Sequence, residues 1–324
     1  MVGYKPLGRT GLIVSELSIG GATLGNEYGE IDADQAIEAV RFGIEHGLNL
    51  VDTSPYYGDG LSERRLGEAL QDGFRDRIVL ATKAGRYRGV EGGFDYSYDG
   101  ILRSWDERAE YLQTDYLDLY QLHDVEFVRP ELVAEQAWPA MVRLREEGRV
   151  GHIGITGYPL GHLARLAREL DPTPETLLTY CHYSLLNTSF DDVLLPTARE
   201  LGIGVVNAAI THMGILTEAG APGWHPAPPE IHEVGRQIRE SIARRGLSVT
   251  DVALRFALEH PDIATTCVGM RSIDEVRQNL DVLDMELDRD LLAEIEDLAG
   301  PVRKRSWAQG HPDNSGHASG SGED

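Results

Sequence analysis

The sequence predicts one (β/α)8 TIM barrel with an N-terminal β-hairpin plugging its floor. Three observations carry that expectation. Eight short apolar runs recur over about 285 residues, with amphipathic helix-period stretches between them. The runs are apolar on both faces, the signature of parallel strands covered on both sides. No G-x-G-x-x-G follows the first run, which disfavours the runner-up, an open doubly wound sheet.

Taken in order, GRTGLIVSEL (8–17) reads as the hairpin on the barrel floor. ELSIGG (16–21) is the first barrel strand, followed by LNLVD (48–52), RIVLATK (77–83) and YLDLYQLH (116–123). HIGIT (152–156), LLTYCHY (177–183), GIGVVNAA (202–209) and ATTCVGM (264–270) complete the set. DADQAIEAVRFGIEHG (32–47) and ELVAEQAWPAMVRLREEG (131–148) place apolar residues at i, i+3, i+4 and i+7, and both stop at glycine. Residues 1–308 read as one domain, and 309–324, rich in Gly, Ser and Asp, as a disordered tail.

Composition narrows the function classes. The chain has 324 residues, 41% hydrophobic and 26% charged, enough for a sizeable core. Asp and Glu number 53 against 30 Lys and Arg, a net charge of −23. That balance argues against nucleic acid and anionic membranes, both of which need basic surface. No apolar run approaches the roughly 18 residues of a membrane helix. MVGYKPLGRTG lacks an apolar core, so no secretory signal is expected. Cys181 and Cys267 are the only cysteines, too few for a disulfide framework or a C-x-x-C metal site, and they fit a reducing cytoplasm. Only Lys5, Lys83 and Lys304 are lysines; a salt-rich cytosol and a GC-rich genome explain that scarcity equally well. Oligomeric state has no signature in the sequence.

Barrel active sites lie at the C-terminal ends of the strands. Asp52 ends the second run and Tyr57 lies in the loop beyond it; Lys83 ends the third run and His123 the fourth. Each has an ordinary alternative: Asp52 as a turn or cap residue, Tyr57 as a half-buried aromatic, His123 as a structural histidine. Lys83 resists one, since a lysine ending IVLAT is costly to bury unpaired. Together the four suit proton-coupled transfer at a carbonyl or alcohol carbon. A phenol of pKa about 10 is a poor base near neutrality. A lysine about 4 Å away, at an effective dielectric of 20, supplies roughly 4 kcal/mol of attraction. Lowering the phenol by two units requires only about 2.7 kcal/mol. Asp52 would keep the lysine charged, and His123 would orient a substrate oxygen. No metal-ligand spacing and no activated nucleophile appear, so the redox partner must be a bound cofactor.

This set, with DTSPYYG, ATKAGRY (81–87) and QLHDVEF (121–127), resembles the aldo-keto reductase superfamily from about residue 4 to 308. SPYYGDGLSERRLG, IGITGYPL (153–160), TYCHYSLLN (179–187), ILTEAGAPGWHP (215–226) and VGMRSIDEVRQN (268–279) resemble its aldose 1-dehydrogenase branch. The resemblance implies oxidation of C1 of an aldose, of the L-galactose or L-fucose type, to the lactone. Rival expectations are an NADPH-dependent aldehyde reductase and a non-catalytic cofactor-sensing barrel. By resemblance Tyr57 is the general acid/base, tuned by Lys83 and Asp52, with His123 orienting the reacting oxygen. Thr156, Gly157 and Tyr180 would meet the nicotinamide. Gly269, Met270, Arg271 and Ser272 would meet the ribose end, and Gln278 and Asn279 the adenine. NAD is favoured, with NADP possible because of Arg271. NAAITHMG (207–214) departs from the branch at Ile210, Thr211 and His212, where the pyrophosphate should lie. Trp224 and His225, in a long Pro- and Gly-rich loop, and Trp307 are candidate substrate contacts. Two alternatives stay open: VGMRS as an ordinary turn with Ser272 as N-cap, and the Trp224–Pro226 segment as loop packing.

Overall fold

In a computed structural model, which describes residues 1–314, eight parallel strands close into a barrel. Strands β1 (Tyr4–Pro6) and β2 (Ile13–Ser15) form an antiparallel pair outside it. The barrel strands are β3 (Leu17–Gly20), β4 (Leu50–Asp52), β5 (Val79–Ala84), β6 (Leu117–Leu122), β7 (Val150–Gly157), β8 (Thr176–Tyr180), β9 (Gly204–Ala208) and β10 (Thr265–Gly269). They pair in chain order, and β10 returns to β3. Each coincides with one of the apolar runs; β3, β4, β6, β9 and β10 lie wholly inside theirs, β5 and β8 overrun by one residue, and β7 extends past HIGIT at both ends. A strand buried on both faces carries no polar alternation to obscure it.

Two hydrophobic clusters hold this arrangement. The larger lies between sheet and helices, with Leu17, Ile19, Val51, Leu80, Tyr120 and Ile155 among its members. The smaller fills the barrel, with Leu50, Val79, Ala81, Leu119, Leu178 and Val206. Leu7 and Val14 of the β1–β2 hairpin complete that inner cluster from below, so the hairpin is the floor. It starts earlier than GRTGLIVSEL suggests, at Tyr4, and Leu17 already belongs to the barrel. Gly8 (φ +55) lets the plug approach: a Cβ there would stand 2.1 Å from the Gly204 nitrogen.

Two further expectations need correction. The stretch 131–148 is not one regular helix. A π-helical segment, Val133–Ala137, precedes the helix Trp138–Glu146, and the Trp138 N–H reaches back to the Val133 carbonyl. Pro139 follows, with no N–H to give the ladder, and such breaks collect where a bond is missing. Residues 309–314 are not free tail. The His311 N–H donates to the Glu126 carbonyl (2.7 Å), and Asn314 Nδ2 donates to the carbonyls of Glu126 (3.0 Å) and Val128 (2.7 Å). Residues 315–324 lie outside the described residues. Among the described residues no helix is long and apolar enough to cross a membrane.

One buried ion pair braces the site from behind. Arg108, on the helix Tyr98–Leu112, places Nε 2.7 Å from Glu63 Oε2, on the helix Leu61–Ala69. Thr82 of β5 donates to Glu63 Oε1 at 2.7 Å. Removing one partner of such a pair strands a buried charge and costs about 3–5 kcal/mol. Arg108→Ala is therefore expected to lower the urea unfolding free energy by that amount. A loss below about 1 kcal/mol would show that the pair is dispensable.

Candidate active site

Side chains two apart on a strand share a face. Leu50, Ala81 and Leu119 point into the barrel. Asp52, Lys83 and Gln121, two residues further along each strand, therefore point inward one layer higher. Register sets them side by side, with Asp52 opposite Ala81 and Lys83 opposite Gln121. Lys83 Nζ donates to Asp52 Oδ1 (2.5 Å) and to the Thr53 carbonyl (2.7 Å), while Gln121 Nε2 donates to Asp52 Oδ2 (3.0 Å). Lys83 is 1% exposed. Burial is the largest influence and pulls its ammonium down, but Asp52, by charge and hydrogen bond, together with Tyr57 more than restores it, so it stays charged, above the usual lysine value.

Tyr57 and His123 complete the group. Lys83 Nζ lies 5.0 Å from the centre of the Tyr57 ring, and that ring meets His123 edge-on with centroids 5.9 Å apart. His123 Nδ1 is 2.8 Å from Ser54 Oγ. Burial, then the charges of Lys83 and Arg86, hold this imidazole well below the ordinary histidine value, so it is neutral. The expected lowering of the Tyr57 phenol does not hold in this structure. Its pKa stands above the ordinary value, because burial exceeds the pull of Lys83 and the carboxylates of Asp52 and Asp124 add to burial.

Two charged neighbours escaped sequence reasoning, although both lie in quoted segments. Arg86 forms an ion pair with Asp124, whose Oδ2 is also 3.8 Å from His123 Nε2. An arginine three residues beyond the strand-end lysine, and an aspartate beside the strand-end histidine, were the available signals.

Across the mouth, Thr156, Gly157 and Tyr180 form one wall with Glu126. Glu126 Oε1 accepts the Tyr158 N–H (3.1 Å), Gln309 Nε2 (3.3 Å) and, at 3.5 Å, the Tyr180 hydroxyl. Gln309 also donates to the Tyr180 hydroxyl. Burial, then Asp124, holds the Glu126 carboxyl well above the usual range. Thr156 Oγ1 accepts the Asp124 N–H at 3.1 Å. Trp307 stacks on Tyr158 (4.6 Å) and lies 5.3 Å from His225, so these two candidates come together. Trp224 is 59% exposed and contacts His225 at 6.3 Å. His212 is buried under Trp307, with Ile210 also in the core.

The segment expected to meet the nucleotide follows β10. Met270 turns its side chain into the core. Ser272 caps the helix Ile273–Asp281, accepting the Glu275 N–H at 3.2 Å. Arg271 pairs with Glu275 at 2.7 Å. Gln278 donates to Asp251, and Asn279 is half-buried. Two buried polar atoms beside these segments have no hydrogen-bond partner. Glu126 Oε2 lies against Gly157, and Thr23 Oγ1 lies against Gly269. An amide at one end and hydroxyl- or phosphate-bearing groups at the other would satisfy them, so these residues fit a nicotinamide dinucleotide. Among the described residues no cluster of His, Cys, Asp and Glu could hold a metal ion.

The Aldo/keto reductase family model matches residues 16–299. The chain belongs to that family. Aldo/keto reductases are oxidoreductases, and a nicotinamide cofactor, which these residues fit, is theirs. The chain is 36% identical to L-galactose dehydrogenase of Arabidopsis thaliana, covering 94% of this chain and 97% of that one. It is 33% identical to D-arabinose 1-dehydrogenase of Saccharomyces cerevisiae (83% and 82%) and 29% identical to D-threo-aldose 1-dehydrogenase of a Pseudomonas species (88% and 94%). The holo form of an aldo-keto reductase from Bacillus halodurans superposes with a TM-score of 0.78 at 26% identity, covering 97% of this chain and all of that one.

Buried neutral histidines make this aldo/keto reductase acid-sensitive. Burial pushes His182 down to about 4 and His212 to about 3. The unfolded chain takes up these protons below about pH 6.5, while the folded chain refuses them. Their contribution is whole above that pH and is lost as pH falls toward 4. Between pH 7 and about 4.5, His182→Leu is expected to lose about 2–3 kcal/mol less unfolding free energy than the parent. Equal losses would mean that His182 is charged in the fold.

Proposed function

We propose that this protein oxidises C1 of an aldose, of the L-galactose or L-fucose type, to the lactone, using NAD by preference and accepting NADP. The observation that carries the reading is the convergence of Tyr57, the Lys83–Asp52 pair and neutral His123 on one side of the barrel mouth. The sugar-dehydrogenase names of the relatives support the substrate class. A bound nicotinamide supplies the hydride acceptor. Thr156, Gly157, Tyr180 and Glu126 would hold its amide end. Gly269, Met270, Arg271, Ser272, Gln278, Asn279 and Thr23 would hold the nucleotide end.

The chain's own part is proton handling and orientation. His123, neutral, donates to the sugar's C1 oxygen and fixes its position. Tyr57 takes the proton from that oxygen as the carbonyl forms. Lys83 stabilises the phenolate, and Asp52 keeps Lys83 charged and in place. The raised phenol also favours a second reading. Near neutrality Tyr57 is an acid, which suits the reverse reaction, reduction of an aldehyde.

Activity should follow the phenolate. With the phenol titrating above the assay range, its ionised fraction grows tenfold per pH unit. Sugar oxidation is expected to rise continuously between pH 6 and 9, by close to tenfold per unit. Tyr57→Phe should lower turnover by about two orders of magnitude or more and abolish that rise, with cofactor affinity unchanged. Lys83→Met should lower turnover and move the profile to higher pH. A rate falling with pH in folded enzyme, or parent-like turnover in Tyr57→Phe, would remove Tyr57 from the role.

The cofactor preference rests on Arg271. Its fork matches a 2′-phosphate, but Glu275 already occupies it. Arg271→Ser should weaken NADP more than NAD by about 1.5–3 kcal/mol. Glu275→Gln should strengthen NADP relative to NAD. Fluorescence titration with both cofactors reads both effects; equal changes for the two would show that Arg271 does not sense the 2′ position.

A further inference from the structure

Asp124 and Arg86 have no part in the proton handling described above, yet they stand beside the atom that orients substrate. The Asp124 carboxylate is buried, with Oδ2 3.8 Å from His123 Nε2. Arg86 closes on that same oxygen while 23% of its side chain remains exposed. Its guanidinium lies against the Tyr56 ring at 3.9 Å and reaches toward Phe127 at 5.3 Å. The Asp124 backbone is left-handed (φ +59), a conformation unfavourable for a residue with a side chain and found where the surroundings impose it. Thr156 fixes the turn by accepting its N–H.

The ring of His123 is oriented by the same neighbourhood. Ser54 Oγ accepts the Tyr56 N–H at 3.1 Å and lies 2.8 Å from His123 Nδ1. That contact holds Nδ1 and leaves Nε2 as the ring nitrogen on the Asp124 side. A substrate oxygen accepting from Nε2 at about 2.9 Å stands next to the carboxylate and the guanidinium. The oxygen on the adjacent carbon of a carbohydrate falls within their reach.

We infer that Asp124 and Arg86 are specificity residues that recognise the hydroxyl on the carbon next to the reacting one, the C2 hydroxyl of an aldose. The inference rests on the aldose reading. The hydroxyl donates to the Asp124 carboxylate and accepts from Arg86, the arrangement a vicinal diol satisfies and a simple aldehyde cannot. A neutral sugar leaves the charge balance of the pair undisturbed, whereas an anionic substrate would compete with Asp124 for Arg86.

The test compares an accepted aldose with its 2-deoxy analogue, in both the parent enzyme and Asp124→Ala, with Asp124→Asn as the shape-conserving control and circular dichroism to confirm folding. The parent is expected to prefer the complete sugar by about 10–100-fold in kcat/KM, the range for loss of a charge-assisted hydrogen bond. Asp124→Ala should bring the two sugars to within about threefold, chiefly through the complete sugar, and Asp124→Asn should fall between. A parent enzyme that treats both sugars alike overturns the inference without any variant. Equal losses for the two sugars in folded Asp124→Ala also overturn it and make the pair structural. Turnover of simple aldehydes with no turnover of any aldose removes the aldose reading, and this inference with it.

Discussion

The buried contact between Lys83 and Asp52 is the constraint around which the upper barrel is arranged. Taking either charge out of water costs several kcal/mol, and attraction offsets this only where geometry is good and remaining groups are bonded. Here the remaining groups are bonded: Thr53 supplies a carbonyl to the ammonium, and Gln121 supplies an amide to the carboxylate. The three strands β4, β5 and β6 each contribute a member. A shift of one strand by a single residue would turn its polar group toward the helices and its apolar neighbour into the pair. Barrel register and site geometry are thus one requirement.

The same pair sets the ionisation of what surrounds it. Burial does most to keep His123 neutral, and the positive charge of Lys83 adds to it by disfavouring a second one there. Tyr57 receives less help than an isolated lysine would give, since Asp52 screens it. Asp124 is balanced in turn by Arg86, which remains partly exposed. The upper barrel thus pairs its buried charges, Lys83 with Asp52 and Asp124 with Arg86.

Much of this was legible in the residues. Fully buried parallel strands are continuous apolar runs, so the eight strands could be found without ambiguity of face. Asp52, Lys83 and His123 stood out because polar groups at the ends of such runs need a reason. What stayed hidden depends on which loops meet. Arg86 and Asp124 belong to different strand ends, and nothing in either segment says that they touch. Glu126, Gln309 and Asn314 meet across more than 180 residues. The Gly- and Asp-rich composition of the terminal stretch concealed side chains bonded to backbone. Helical periodicity marks apolar positions and cannot register a backbone that changes from α to π, as at Val133–Ala137. The Tyr57 shift was misjudged because its sign depends on burial, which spacing does not report.

The wall formed by Trp307 and Gln309 is joined to the barrel by contacts quite unlike those that close the sheet. Trp307 lies on Tyr158 by ring stacking, and Gln309 reaches Tyr180 and Glu126 by its amide. None of the eight strand ladders passes through either residue. Trp307 is also a buried member of the large core cluster, so its replacement costs packing, whereas Gln309 belongs to no apolar cluster and can change while barrel closure and the Lys83–Asp52 register stay as they are. Over generations the rim is therefore free to vary at Gln309 and held by the fold at Trp307.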